Sequence, residues 1–260
     1  MPRVGVEFAK VSYTLPMGAD GEAGRVLLRD ISLQLEVGTT TALLGRSGSG
    51  KTTLLRMVNG LVTPTSGEVL VDGRKVSTAN RTVSDRVALR RGIGYVIQET
   101  GLFPHMTVER NAGLSLEMAG RRGEEVSKRA AEMLTLVGLD FTEFRRRYPW
   151  QLSGGQRQRV GLARALALDP MALLMDEPFG ALDPMTRAEM QTMLKGLLER
   201  MGKTALLVTH DLNEALYLAA RVVFLADGAV VADLPSADVL ESENIHVKDY
   251  VRAVNRAVAV

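Results

Sequence analysis

An α/β fold with a largely parallel sheet is predicted by three observations on the sequence. Short apolar runs that read as buried strands alternate with helical stretches through much of the chain. One of these runs, Thr41-Ala42-Leu43-Leu44, feeds a glycine-rich turn that opens directly into a helix. From Leu102 to about Arg164 the character is helical with few β-branched runs, and strand-like runs lie on either side. The third observation predicts a helical insert between two strands of one sheet.

Each element follows from its residues. Val4 to Val11 reads as a strand. Polar Thr14 to Arg25, with Pro16, Gly18, Gly21 and Gly24, reads as a long turn or loop. Ile31, Leu33, Leu35 and Val37 alternate with polar neighbours, the pattern of a half-exposed strand, and Gly38 turns the chain into the strand at Thr41. The helix after the glycine turn is marked by Leu54-Leu55 and Met57-Val58, and Pro64-Thr65-Ser66-Gly67 breaks it. Glu68 to Val71 is a short strand closed by the Asp72-Gly73 turn. The opening segment therefore mixes antiparallel strands with the strand that carries the glycine turn. Ile93 to Ile97 is a buried strand with Gln98 at its end. Val126 to Leu136 carries apolar residues at helical spacing, and Gly138 is its stop. Met171 to Met175 is a buried strand ending in Asp176-Glu177. Met185 to Met201 is a helix, and Ala205 to Thr209 is a strand ending at His210. Asp211 is the N-cap of a helix to Ala220. Val222–Leu225 and Ala229–Ala232 flank Asp227-Gly228, a hairpin signal. The final residues form a short helical tail. No internal repeat or low-complexity block is present.

Composition bounds the functional classes. The 260 residues suit one large domain or two small ones, and 46% hydrophobic content supplies a real core. The formal net charge is +2, from 32 basic and 30 acidic residues, so charge does not suggest a nucleic-acid partner. With no cysteine, disulfides, thiolate metal sites and a cysteine nucleophile are excluded, and a reducing compartment is comfortable. No apolar run approaches the ~18 residues of a membrane span. The start, Met1 to Glu7, lacks the apolar core of a signal peptide. A soluble chain is expected, reaching a membrane only through a partner.

The turn Gly45-Arg46-Ser47-Gly48-Ser49-Gly50-Lys51-Thr52-Thr53 matches G-x-x-x-x-G-K-[ST] with strand before and helix after. Its glycines let successive backbone N–H groups face inward as a concave anion site, and the helix adds its positive N-terminal end. Lys51 can reach the β- and γ-phosphates of a nucleoside triphosphate, and the Thr52 hydroxyl can ligate Mg²⁺. An ordinary glycine turn is the plainer alternative, and it leaves Lys-Thr at that spacing without a purpose.

Ligands of open α/β sheets bind outside the carboxyl ends of the strands. The glycine turn, Gln98, Asp176-Glu177 and His210 each follow a strand, so all four are expected on one edge. Asp176 ends an apolar strand, where a carboxylate is costly unless it is near a cation, and in this setting that cation is Mg²⁺. Glu177 points elsewhere and can act as a general base on water. Gln98 can offer an oxygen to Mg²⁺ or a donor to water, or it is a satisfied strand-end amide. His210 contacts the γ-phosphate or holds Glu177. Leu152-Ser153-Gly154-Gly155-Gln156 is a second glycine-rich element opening a helix, again an anion-binding geometry, with Ser153 equally suited to plain N-capping.

Taken together these motifs resemble the ATP-binding subunits of ABC transporters, over about Val4 to Leu240. Gly45–Thr52 is similar to Walker A, Gln98 to the Q-loop glutamine, and Leu152–Gln156 to the LSGGQ signature. Met171–Asp176 is similar to Walker B with Glu177 as the catalytic glutamate, Ala181-Leu182-Asp183 to the D-loop, and His210 to the switch histidine. The resemblance implies a P-loop NTPase (RecA-like) core with an antiparallel β subdomain and an inserted α-helical subdomain at about 101–164. It implies one ATPase domain over 1–240 and a C-terminal helical tail over 241–260. It also implies ATP and Mg²⁺ as ligands, with each ATP held between Walker A of one cassette and Ser153, Gly154, Gly155 and Gln156 of a second, identical one. Asp183 would join that shared site. The implied partners are transmembrane permease subunits and an extracytoplasmic solute-binding protein, with the cassette on the cytoplasmic face of the inner membrane. Gly101 to Met106 is the candidate permease contact. The family places an early aromatic on adenine; its place here is Leu15, and Tyr13 stands in if the strand is regular, since both then point the same way. Ile93–Gln98, Gly101–Val108 and Phe179–Pro184 resemble the importers of glycine betaine, choline and proline. Arg145-Arg146-Arg147 reads as a solvated helix end, or as a contact for acidic lipid or an acidic permease surface. The competing classes are an ABC-type ATPase acting on DNA or the ribosome, an importer ATPase for another substrate such as an amino acid or lipid, and a small-molecule kinase. A kinase gives LSGGQ no purpose.

Overall fold

The computed structural model describes residues 4–16, 24–76, 82–98 and 100–258. In chain order the elements are β1 (Val4–Thr14), β2 (Val26–Glu36), β3 (Thr40–Gly45), α1 (Lys51–Val58), β4 (Ser66–Val71), β5 (Arg74–Lys75), α2 (Val83–Arg91), β6 (Ile93–Val96), α3 (Val108–Met118), α4 (Glu124–Leu136), α5 (Phe141–Phe144), α6 (Gly154–Leu166), β7 (Ala172–Asp176), α7 (Pro184–Met201), β8 (Thr204–Val208), α8 (Leu212–Leu218), β9 (Arg221–Ala226), β10 (Ala229–Pro235) and α9 (Ile245–Val258). The chain forms two compact units, one up to Arg86 and again from Thr204, the other Val87–Lys203.

In the first unit an antiparallel sheet runs in the order β2-β1-β4-β5. β2 buries Leu28, Ile31, Leu33 and Leu35, but Arg29 and Asp30 are consecutive exposed residues that break the alternation. Asp30 has φ 46, and the β1–β2 register shifts beside it. This irregularity is why β2 starts at Val26, earlier than its clean alternation indicates; Val37, expected inside the strand, lies just past its end and is exposed. Of the expected 14–25 loop, residues 17–23, with Gly18 and Gly21, lie outside the described residues. Its ends are tied by the Leu15 N–H donating to the Arg25 carbonyl at 2.9 Å.

Also in this unit, β3 pairs in parallel with β8 on one side and β9 on the other, and β10 runs antiparallel to β9. β3 and β8 are buried at every position, the run of apolar residues expected of strands covered on both faces. The β9–β10 turn at Asp227-Gly228 has φ 50 and 78, the left-handed pair that two-residue hairpins use. Against these strands packs a cluster that includes Ala42, Leu44, Leu212, Ala215, Phe224 and Val247, the last from α9. A fully buried aliphatic side chain of this kind is worth about 1.5–3 kcal/mol, so Val247 is a firm anchor for α9.

In the second unit β6 and β7 pair in parallel, Ile93 opposite Ala172 through Val96 opposite Met175. α6 approaches β6 closely: a Cβ on Gly94 would lie 2.6 Å from the Ala165 carbonyl oxygen. α4 buries Val126, Ala130, Met133 and Leu134, one stripe at helical spacing. It stops where sequence indicates, with Leu139 N–H donating to the Leu134 carbonyl across Gly138. α2 buries no residue at all and had no apolar stripe to announce it.

Candidate functional site

In the first unit Gly45 ends β3 and Lys51 begins α1, so the glycine turn lies at the carboxyl end of a buried parallel strand. Gly50 caps α1 at φ 97, and a Cβ there would lie 2.5 Å from Leu28 Cδ2, so both backbone and space require glycine. At Gly48 a Cβ would meet nothing within 4 Å, which leaves that side of the turn open. Lys51 is 6% exposed, and its ammonium donates to the carbonyls of Gly45 at 2.7 Å and Arg46 at 3.0 Å. The Ser49 hydroxyl is buried and has no hydrogen-bond partner. An unmatched buried donor costs about 1–3 kcal/mol. An enclosed cation and an orphan hydroxyl at the N-terminal end of α1 together suit an anionic acceptor such as phosphate oxygen. Arg46, Ser47, Gly48 and Ser49 line a cavity of about 1290 Å³ that His210 and Tyr250 also line. Thr52 and Thr53 are half-buried in the first turn of α1.

His210 reaches the same cavity because β8 lies beside β3. Leu43 is level with Val208, and Thr209 N–H donates to the Leu43 carbonyl at 3.2 Å. Asp211 caps α8 as expected, accepting from Asn213 N–H at 2.9 Å and Glu214 N–H at 3.2 Å. Tyr13 is not among the lining residues. It lies opposite Leu28, and the β1–β2 register shifts on both sides of it. The strand is thus not regular there, and parity with Leu15 no longer fixes where Tyr13 points.

In the second unit Gln98 follows β6 and Asp176 ends β7, at the same carboxyl end of a parallel pair. Asp176 is 5% exposed, and the Tyr95 hydroxyl donates to it at 3.4 Å. The Gln98 amide donates to Glu177 at 3.4 Å, so these two expected residues do meet. Glu177 has φ 45, the left-handed region that costs a side-chain-bearing residue about 1–2 kcal/mol. Such strain gathers at functional positions. It yields a stability prediction with an unusual sign: Glu177→Gly should be more stable than Glu177→Ala by about 1 kcal/mol, whereas glycine is ordinarily the weaker of the two. Urea unfolding of the two variants checks this, and an alanine variant at least as stable would contradict it.

Ser153 is the N-cap of α6. Its hydroxyl accepts from Gln156 N–H at 3.2 Å while the Gln156 side chain accepts from Ser153 N–H at 2.9 Å. Gly154 and Gly155 follow in the first turn of α6, Gly155 buried. A Cβ on Gly155 would lie 2.4 Å from the Thr186 methyl, so α6 and the first turn of α7 meet there. Asp183 caps α7, accepting from Thr186 N–H at 3.1 Å. Hydrogen bonds from the Thr186 side chain and then its backbone hold the Asp183 carboxyl below the usual range.

The Gly101–Met106 segment is held from two sides. Fully buried Asn111 accepts from Phe103 N–H at 2.8 Å and donates to the carbonyls of Phe103, Met106 and Thr107 at 3.0–3.1 Å. Arg164, its basicity lowered by burial, donates to the carbonyls of Thr100 and Gly101 at 2.8 Å. Phe103 is left 42% exposed. Sequence reading missed Tyr95, Asn111, Arg164 and Tyr250, each of which works on a partner that no local pattern names.

The ABC transporter family model matches residues 28–180. The carnitine transport ATP-binding protein OpuCA of Listeria monocytogenes is 42% identical over 231 residues, 88% of this chain and 57% of that protein. The osmoprotectant import ATP-binding protein OsmV of Salmonella typhimurium is 45% identical over 202 residues, 78% of this chain and 52% of that protein. The chain thus spans about half the length of the curated relatives it matches. A solved ATP-binding cassette, a dimer in a post-hydrolysis state with ADP and Pi, superposes with a TM-score of 0.78 at 38% identity, covering 89% of this chain and 98% of that one. The P-loop α/β fold expected from sequence is the fold found, and the chain belongs to the ABC transporter family.

Proposed function

We propose that this chain binds and hydrolyses ATP and drives a membrane permease for the uptake of a small solute of the glycine betaine, choline or proline type. The observation that carries the reading is the presence of two glycine-rich helix starts in one chain, the Gly45–Thr52 turn ahead of α1 and the Ser153-capped start of α6, each of a kind that suits an anion. A nucleotide bound by one copy needs only the first. The second acquires a use when two copies pair head to tail, each adding its Ser153, Gly154 and Gly155 to the other's nucleotide. On this reading residues 1–240 are one ATPase domain with the insert at 101–164, and 241–260 is a helical tail.

Roles follow from position. Backbone N–H groups of the turn and Lys51 would take the phosphates, with the orphan Ser49 hydroxyl as a further donor. Thr52, Gln98 and Asp176 are an all-oxygen donor set of the kind Mg²⁺ accepts, and the metal would neutralise charge developing between the β- and γ-phosphates. Glu177 would take the proton of the attacking water, oriented by Gln98, and His210 would contact the γ-phosphate or hold Glu177. Asp183 would lie at the shared boundary. Tyr13 is proposed for adenine only as the aromatic nearest in sequence to Leu15, the family's usual place for one.

The partners are proposed on family membership and on relatives named for carnitine and osmoprotectant transport. They are a second identical cassette, a permease met through Gly101–Met106, and an extracytoplasmic binding protein, with the cassette at the cytoplasmic face of the membrane. No described helix is long and apolar enough to cross a membrane. Purified protein with ATP and Mg²⁺ should release inorganic phosphate; a phosphorylated small-molecule product would instead establish the kinase alternative. In cells, deletion should abolish uptake of labelled glycine betaine, choline or proline. Intact uptake of all three, with loss of another solute such as an amino acid, would overturn the substrate class and leave the ATPase reading standing.

A further inference from the structure

The C-terminal helix reaches the switch loop. The Tyr250 hydroxyl, on α9, donates to the His210 carbonyl at 2.6 Å, forty positions away in sequence. Each end of that contact is braced. His210 is preceded by Thr209, whose N–H is bonded to β3, and followed by Asp211, whose N–H donates to the Thr209 hydroxyl at 3.0 Å and whose carboxylate caps α8. The His210 carbonyl lies between these two fixed points and is the acceptor that α9 takes. On the other side, the Tyr250 ring meets Phe224 edge to face, with centroids 5.7 Å apart. Phe224 is 2% exposed on β9. α9 is anchored by fully buried Val247, and its start is tied by Asn244, which donates to the Val231 carbonyl at 2.8 Å and accepts from His246 N–H at 2.9 Å. Tyr250 is therefore a rigid strut from a packed helix to one carbonyl. The His210 side chain itself is exposed at the cavity, and the peptide that carries it is the one Tyr250 holds.

We infer that Tyr250 is a positioning residue for His210: its hydroxyl fixes the peptide that aims the imidazole, and α9 is thereby coupled to the ATPase site. The inference rests on the proposed role of His210. Tyr250→Phe removes only the hydroxyl and keeps the ring on Phe224. The loss of one such bond should lower kcat for ATP hydrolysis about three- to tenfold, with KM for ATP within about twofold of the parent.

A second readout needs no turnover. The chain has three histidines, His105, His210 and His246, so the His210 ring signal in a proton–carbon NMR spectrum is assigned by its disappearance in His210→Ala. In Tyr250→Phe that signal should shift or broaden, while the His105 signal stays in place. An unmoved His210 signal, or a kcat equal to the parent's, overturns the positioning role. His210→Ala hydrolysing at the parent rate would instead overturn the role given to His210 itself, whatever its signal does in Tyr250→Phe. The two failures are thus told apart.

Discussion

Glu177→Gln should reduce ATP hydrolysis by about 10²–10⁴-fold, the usual contribution of a positioned general base, while leaving ATP binding intact. Glutamine keeps the size of the side chain and its hydrogen bond with Gln98, and it removes only the capacity to accept a proton. The groups proposed to bind ATP, Lys51 and the Gly45–Gly50 turn, are untouched. With hydrolysis blocked, ATP should hold two copies together, because a ligand bound more tightly by the closed pair than by a single copy shifts the equilibrium toward the pair by mass action. Phosphate release and solution mass with ATP present read the two effects separately. A variant that hydrolyses at the parent rate and stays monomeric would remove Glu177 from the base role.

Ser153→Arg should lower hydrolysis by about 10²-fold or more while a single copy still binds ATP. The change has two physical parts. It removes the cap on Gln156 N–H, which costs about 0.5–2 kcal/mol of stability. It also places a long cation at the positive end of α6, where a phosphate of the other copy's nucleotide is proposed to lie. Ser153→Ala separates the parts, since it loses the cap and adds neither bulk nor charge. Ser153→Ala should retain most of the rate, and Ser153→Arg should retain almost none. If Ser153→Arg also abolishes ATP binding by the monomer, the signature acts within its own copy and the trans role is wrong.

What the sequence made legible was local or periodic. The glycine turn between Leu44 and Lys51, the caps at Ser153 and Asp211, the Gly138 stop and the Asp227-Gly228 hairpin are each written in a few adjacent residues, and all occur. The position of His210 beside the turn followed from a simple rule, that parallel strands present their carboxyl ends together, and β3 with β8 obeys it. What stayed hidden has equally physical causes. α2 buries nothing, so no apolar stripe marks it. β2 carries a break at Arg29-Asp30 that disguises its first residues and spoils the parity argument for Tyr13. Tyr95 on Asp176, Asn111 on the 103–107 carbonyls and Tyr250 on His210 are tertiary hydrogen bonds or loop locks. Their donors look like ordinary strand and helix residues until the chain is folded.

The central claim is that each catalytic site is completed by a second copy of the chain. It is tested most directly by the initial rate of ATP hydrolysis per subunit, measured at saturating ATP over a wide range of protein concentration. If two copies build the site, the rate per subunit should rise with concentration through the dilute range and level off once pairing is complete. A rate per subunit that stays constant down to the highest dilution would show that one copy suffices, and would contradict the account.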